Sequence, residues 1–145
     1  MKHSVEIKMR GLSWIASFGM AWNFLGVVAF VIAVMATREG LQSAGTGTVQ
    51  IDYVFATPLW AKLSNAIAVF AGFAGSVALF MRRRVAYGLC TLSLLAIMVV
   101  MLDTISRNGF SYLGPVNNGI YLAVILIGLF LFWIAHRAHI RGVLG

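Results

Sequence analysis

Residues 58–105 read PLWAKLSNAIAVFAGFAGSVALFMRRRVAYGLCTLSLLAIMVVMLDTI. Two apolar runs of 24 and 21 residues, 58–81 and 85–105, are separated only by Arg82-Arg83-Arg84. At a rise of about 1.5 Å per residue, each run forms a helix long enough to cross a hydrocarbon core of about 30 Å. Pro58 suits the first turn of such a helix, where its missing N–H is not needed. The stretch therefore predicts two transmembrane helices joined by a tight, arginine-rich turn.

The remainder of the chain has the same character. Further apolar runs of 24 and 19 residues cover 13–36 and 117–135. The chain is 61% hydrophobic and 10% charged, whereas a soluble domain is about 45–50% apolar and about 25% charged. We therefore predict an all-α fold over residues 1–145, a single transmembrane domain. It is an integral membrane bundle of four helices at about 13–36, 58–81, 85–105 and 117–135.

The charged side chains divide unequally between the two sides of this bundle. One side has Glu6 as its only acid, together with the bases Lys2, Lys8, Arg10, Arg82, Arg83, Arg84, Arg137 and Arg141. The other side has Arg38, Lys62 and Arg107 against Glu39, Asp52 and Asp103. Because lysine and arginine concentrate on the cytoplasmic side, we expect both termini to be cytoplasmic. The net charge of +7 then indicates orientation in a lipid bilayer rather than a nucleic-acid partner.

A cluster of Trp22, Asn23 and Asn65 is predicted inside the membrane. Asn23 lies ten residues into the first run, about 15 Å deep, and Asn65 lies seven residues into the antiparallel second run, about 10 Å deep. A carboxamide in hydrocarbon needs a hydrogen-bond partner, so a contact between Asn23 and Asn65 is geometrically allowed, and the Trp22 N–H can join it. Such a cluster either holds the helices together or lines a small polar cavity.

The second run also carries a face of small residues, namely Ala68, Ala71, Gly72, Gly75 and Ser76. Small residues at steps of three and four let membrane helices approach closely. The partner helix can belong to this chain, to a second copy or to another membrane protein.

Asp103 is the only carboxylate within an apolar run, two residues from its outer end. Acids in membrane helices are candidates for function. However, Arg107 follows one helical turn later, and Lys62 enters the second helix at similar depth. We therefore predict an interfacial charge pair rather than a proton relay, which would need a second acid at depth.

The basic side provides candidates for docking on lipid headgroups or on a partner. These are Arg82, Arg83, Arg84, His136, Arg137, His139 and Arg141. Basic segments next to membrane helices attract anionic headgroups. His136 and His139 have no third ligand nearby in sequence, so no metal is predicted. No cofactor is evident either, although a lipid or pigment held by contacts alone would leave no motif.

The long outer link 37–57 alternates between apolar and polar residues over Val49, Ile51, Tyr53 and Phe55. A period of two indicates an extended segment. It can pair with Phe110 and Tyr112 as a short lid over the bundle, or lie as a loop whose aromatic rings touch headgroups.

The sequence contains no phosphate-binding glycine loop, nucleophile elbow, zinc-protease pair or multi-cysteine site. We therefore expect a protein that is not an enzyme. One function is an accessory or assembly subunit of a larger membrane complex, or a homo-oligomer, acting through helix–helix contacts. The alternative is a small solute transporter or channel that works as an oligomer, with Trp22, Asn23, Asn65 and Asp103 lining its pathway.

Several short motifs resemble a family of small four-helix bacterial inner-membrane proteins. They are Trp22-Asn23-x-x-Gly26, Pro58-x-Trp60, Gly72-x-x-Gly75-Ser76, Arg82–Arg84 followed by Ala86, and Leu92-Ser93-Leu94. The resemblance covers the first three helices and fades in the fourth. It implies a bacterial inner-membrane location. Members are mostly uncharacterised, and some carry an automatic "sugar transporter" label.

Overall fold

The computed structural model describes residues 2–145, with side chains from Gly11 onward. The side chains of Lys2, Glu6, Lys8 and Arg10, which entered the charge argument, lie outside the described residues. The described chain forms α1 (Lys2–Met35), α2 (Arg38–Ser43), α3 (Thr48–Phe55), α4 (Leu59–Phe80), α5 (Val85–Ser106) and α6 (Gly109–Ile140). No strand occurs in this part of the chain.

Four of these helices are long and apolar enough to cross a membrane: Gly11–Met35 of α1, and α4, α5 and α6 over their whole lengths. The all-α bundle of four membrane helices is thereby confirmed. We call the end that carries Arg82–Arg84 and the residues after Ile140 the basic end. The opposite end, which carries residues 37–57, is the loop end.

The last helix, α6, is broken at Gly114, whose backbone is not helical, so a short first part from Gly109 precedes a long part that begins close to the predicted residue 117. Gly114 has φ 75°, a conformation that glycine adopts at little cost, and Pro115 has no N–H to donate. Two side-chain amides donate to carbonyls of the preceding turn: Asn117 to Leu113 (2.8 Å) and Asn118 to Phe110 (2.9 Å). These bonds supply partners that the break in the helical ladder removes.

The described core is densest at the basic end and is made mainly of alanine. It contains Ala16 of α1, Ala78 and Leu79 of α4, Ala86 and Cys90 of α5, Ala135 and Ala138 of α6, and Leu144. Such small side chains let helix backbones approach closely. Gly19 of α1 also touches α6, where an added Cβ would lie 2.8 Å from a methyl group of Leu131. The four helices are therefore packed together at the basic end.

The C-terminal tail folds onto the arginine turn. Arg82 adopts φ 57°, and its carbonyl accepts a hydrogen bond from the Gly145 N–H at 2.8 Å. The Arg84 N–H donates in return to the Gly145 carbonyl at 3.2 Å. Leu144, 3% exposed, inserts its side chain into the core. The tail therefore holds the turn between α4 and α5 in one conformation.

The extended segment predicted within residues 37–57 is wrong, because α2 and α3 are helices. Eight residues of α3 are too few for an alternating pattern to distinguish a strand from a helix. In the helix, Gln50, Ile51, Tyr53 and Val54 share the less exposed face, whereas Val49 is 61% exposed. Pro58 closes the link and precedes α4, as expected.

Candidate functional site

A buried ion pair at the loop end is the centre of the candidate site. Asp103, 4% exposed, lies near the end of α5. Arg107, one turn later, donates to both carboxylate oxygens over 2.6–3.1 Å. A spacing of four residues places the two groups on the same helix face. The structure therefore joins Asp103 and Arg107 at the point where α5 gives way to the link before α6.

Arg107 also connects α5 to the segment before α4. Its guanidinium donates to the Tyr53 carbonyl at 3.2 Å and to the Thr57 hydroxyl at 3.0 Å. The guanidinium carbon lies 4.2 Å from the centroid of the Tyr53 ring. Charge-assisted bonds of this kind are shorter and stronger than neutral ones. Arg107 thus holds α3 over the end of α5.

Tyr53 of α3 is half-buried and packs against α6. Its ring packs against Tyr112, with the centroids 5.7 Å apart. Its hydroxyl is buried, touches Gly109, and has no hydrogen-bond partner among the described residues. Burial raises the pKa of the Tyr53 phenol, an effect that outweighs the opposing charge of Arg107. The phenol is therefore protonated at neutral pH.

The ion pair and Tyr53 line a cavity of about 370 Å³, which we call the loop-end cavity. Its walls come from α3 and from all four membrane helices. The apolar side includes Phe30, Ala33, Val34 and Val100, and the polar side includes Thr57, Lys62, Asn65 and Thr104. Ligand sites commonly have volumes of about 300–1,000 Å³, with a few polar groups on a mostly apolar wall. The loop-end cavity has these properties.

Lys62 does not pair with Asp103, contrary to the predicted charge cluster. It is exposed and forms no ion pair in the part of the chain that the structure describes. Arg107 donates to both carboxylate oxygens of Asp103, whereas Lys62, like Asn65, is a lining residue of the loop-end cavity.

The predicted contact between Asn23 and Asn65 is also wrong. Asn23 donates to the Ser76 hydroxyl at 3.2 Å and to the Gly19 carbonyl at 2.8 Å. Ser76 lies eleven residues beyond Asn65 on α4, or about 16 Å nearer the basic end. The register between α1 and α4 is therefore shifted by about three turns from the predicted one. Trp22, half-buried, forms no hydrogen bond among the described residues.

The small-residue face of α4 is buried within the chain. All five of its residues, Ala68, Ala71, Gly72, Gly75 and Ser76, are buried. Asn23 of α1 lies against Gly72, and the Ser93 hydroxyl of α5 donates to the Ala68 carbonyl at 2.7 Å. A Cβ at Gly75 would lie 3.0 Å from the Cys90 sulfur. The face therefore packs on α1 and α5, which leaves none of it for a partner protein.

The predicted docking residues at the basic end fall into three groups. Arg82, Arg137 and Arg141 line one cavity. His136 and His139 pack against Tyr87 of α5, with ring centroids 5.5 and 5.1 Å away. Arg83 and Arg84 are exposed at the turn. No cluster of three metal-binding side chains occurs among the described residues.

Three residues of the candidate site were not predicted from the sequence: Thr57, Thr104 and Gly109. All three act through neighbours that are distant in sequence, such as Arg107 and Tyr53. Gly109 could have been noticed in the sequence, because it is a glycine that follows Arg107 and Asn108 at the end of an apolar run. Glycine permits the close approach of another side chain.

Comparisons of the chain with protein-family models, with curated proteins and with solved structures find no match.

Proposed function

We propose that this protein is a non-enzymatic membrane protein that binds a small amphiphilic solute in the loop-end cavity. One observation carries the proposal: α3 and all four membrane helices contribute to the wall of one cavity at the loop end. The core of small residues joins all four membrane helices at the basic end, whereas the same helices and α3 surround about 370 Å³ at the loop end. A cavity of this size holds a small organic molecule.

The lining indicates the chemistry of the solute. Asp103 and Arg107 neutralise each other, so Lys62 contributes the remaining charge among the described lining residues. Asn65 adds a carboxamide beside it. The part of the lining that α1 contributes, Phe30, Ala33 and Val34, is apolar. These features favour a solute with an anionic or hydrogen-bonding group at one end and an apolar body.

The distribution of charge supports an orientation for this site. We propose that the protein spans a bacterial inner membrane several times, with both termini and the arginine turn in the cytoplasm. The loop-end cavity then opens toward the outer face. This form corresponds to the outward-open state of a small solute transporter. Four helices enclose little space beyond the cavity, so transport requires an oligomer.

Filling the cavity tests this proposal. Ala33→Trp introduces a large side chain into the lining of the cavity, whereas Ala29→Trp introduces the same side chain one turn lower on an exposed part of α1. Each variant is purified in lipid nanodiscs, and small molecules released by denaturation are compared by mass spectrometry. We expect a compound that accompanies the wild type and Ala29→Trp but is depleted with Ala33→Trp. Identical compound profiles for all three would contradict solute binding at this cavity.

A second candidate is a subunit of a larger membrane complex or a homo-oligomer. Gly88 of α5 and Gly119 of α6 favour it, since both are exposed and a Cβ at either would meet no described atom within 4 Å. Exposed glycines on membrane helices suit close contact with another helix. Such contacts would also provide the oligomer that transport needs.

Gentle purification distinguishes this second candidate. Wild type and Gly119→Leu are extracted in native nanodiscs, and the masses of co-purifying chains are determined. The candidate predicts a stable assembly that Gly119→Leu or Gly88→Leu weakens. A monomer under every mild condition would count against it.

A further inference from the structure

A second cavity, of about 730 Å³, lies at the basic end between α1 and α6. We call it the basic-end cavity. Its apolar wall includes Leu12 and Ile15 of α1 and Ile134 of α6, and three arginines, Arg82, Arg137 and Arg141, line it as well. No acidic residue lines it among the described residues. It therefore combines an apolar surface with three positive charges that no described carboxylate in its lining neutralises.

The three arginines come from different segments, and two of them are held in place. Arg82 belongs to the turn between α4 and α5, where the C-terminal tail fixes its backbone through Gly145. Arg137 lies over the Trp133 ring, with the guanidinium carbon 4.4 Å from the ring centroid, a contact that attracts the cation to the ring face. Arg141 follows the end of α6.

The C-terminal ends of α4 and α6 do not repel an anion bound in the basic-end cavity. A helix C-terminus normally presents free carbonyls, which repel negative charge. Here the Arg83 N–H donates to the Ala78 carbonyl at 2.8 Å, and the Val143 N–H donates to the Ala138 carbonyl at 3.0 Å. These bonds take up carbonyl groups on both helices, so the guanidinium groups dominate the local field.

We propose that the basic-end cavity binds one anionic phospholipid. Arg82, Arg137 and Arg141 hold its phosphate, since guanidinium groups bind phosphate oxygens through paired hydrogen bonds. The first part of an acyl chain lies against Leu12, Ile15 and Ile134. Basic pockets between membrane helices are suited to such headgroups. Charge complementarity selects an anionic lipid over a zwitterionic one, and the apolar wall selects a lipid over a free phosphate.

The chain offers a matched control for this proposal. Arg137→Gln/Arg141→Gln removes two charges from the cavity, whereas Arg83→Gln/Arg84→Gln removes two exposed charges at the same end that do not line it. Both variants have the same net charge. Phosphatidylglycerol retained from vesicles of phosphatidylglycerol and phosphatidylethanolamine is counted by native mass spectrometry. We expect the wild type and the control to retain one lipid, and the cavity variant to bind about tenfold more weakly.

Several outcomes would overturn the proposal. Equal retention by all three chains would show that the arginines of the cavity are not involved, and equal loss in both variants would indicate surface charge alone. Displacement of the lipid by glycerol phosphate at equal concentration would identify the ligand as a soluble phosphate.

A further test uses only the wild-type protein, so its outcome does not depend on the folding of a variant. Nanodiscs of phosphatidylethanolamine are doped with brominated phosphatidylglycerol, which quenches tryptophan on contact. Because Trp133 lines the cavity, quenching should include a component that saturates at low brominated-lipid content, in addition to a proportional decrease from the other three tryptophans. A strictly proportional decrease would contradict a specific site.

Discussion

Replacing Arg107 by methionine should destabilise the protein strongly, because it leaves the Asp103 carboxylate buried without a counter-charge. The Asp103 side chain is 5% exposed and the Arg107 side chain is 24% exposed. Removing one partner of a buried ion pair, so that the other charge stays buried, costs about 3–5 kcal/mol of stability. The same change removes the bonds from Arg107 to the Tyr53 carbonyl and the Thr57 hydroxyl. We therefore expect Arg107→Met to lower the unfolding midpoint by about 10–15 °C.

Asp103→Asn should cost less, about 1–2 kcal/mol, since Arg107 reaches solvent and keeps its two other acceptors. The double variant Asp103→Leu/Arg107→Met removes both charges, and we expect it to be more stable than Arg107→Met alone by about 1–3 kcal/mol. The loss of stability in a single variant therefore depends on which of the two charged side chains remains.

Cys90 provides the assay, because it is the only cysteine in the chain and is buried. A thiol-specific fluorogenic dye reacts with it only after the bundle opens, so heating in the presence of the dye reports unfolding directly. If Arg107→Met is no less stable than Asp103→Asn, or if the double variant is no more stable than Arg107→Met, then an unpaired Asp103 carboxylate does not destabilise the protein as we predict.

Three further predictions use the same thiol assay. Gly72→Ala should cost about 1–3 kcal/mol of stability because the added methyl group collides with side chains of α1 and α5. The control Gly88→Ala, whose methyl group meets no described atom within 4 Å, should not destabilise the protein. Equal losses of stability in the two variants would contradict the close packing around Gly72. Gly109→Ala should destabilise because the added Cβ would lie 2.7 Å from the Tyr53 ring carbon Cζ and 2.8 Å from the Thr104 methyl group. An unchanged midpoint would count against these contacts. Leu144→Ala should cost about 2–5 kcal/mol if the C-terminal tail is part of the core, whereas an unchanged midpoint would place the tail outside it.

The number and approximate extent of the membrane helices follow from the sequence alone. Lipid gives the backbone no hydrogen-bond partners, so an apolar run of sufficient length must form a helix. The break that Gly114-Pro115 predicts is present, but the chain is also helical before it, from Gly109. The side-chain amides of Asn117 and Asn118 compensate for that break, which no local pattern predicts.

Contacts between helices were harder to predict. The depth of Asn23 was counted from the start of an apolar run, but α1 continues without interruption from Lys2, so the run does not fix its position along α4. An error of a few residues in such a count moves a side chain to another partner. Because of this register, Asn23 donates its hydrogen bond to Ser76 and does not reach Asn65.

The loop-end cavity was only partly predictable. Asp103 and Arg107 are neighbours on one helix, so their spacing indicates the pair. Tyr53 and Thr57 reach Arg107 across about fifty residues of chain, and α3 had been assigned the wrong period. The basic-end cavity likewise depends on how the C-terminal tail folds back onto Arg82.

Labelling of introduced cysteines shows whether the arginine turn and residues 37–57 lie on opposite sides of a membrane. Gln42→Cys and Arg83→Cys place exposed thiols at the loop end and at the basic end, while buried Cys90 stays unreactive. We expect a membrane-impermeant maleimide to label residue 42 in intact cells and residue 83 only after permeabilisation. Labelling of residue 83 from outside, or equal access to both thiols in intact cells, would contradict the account.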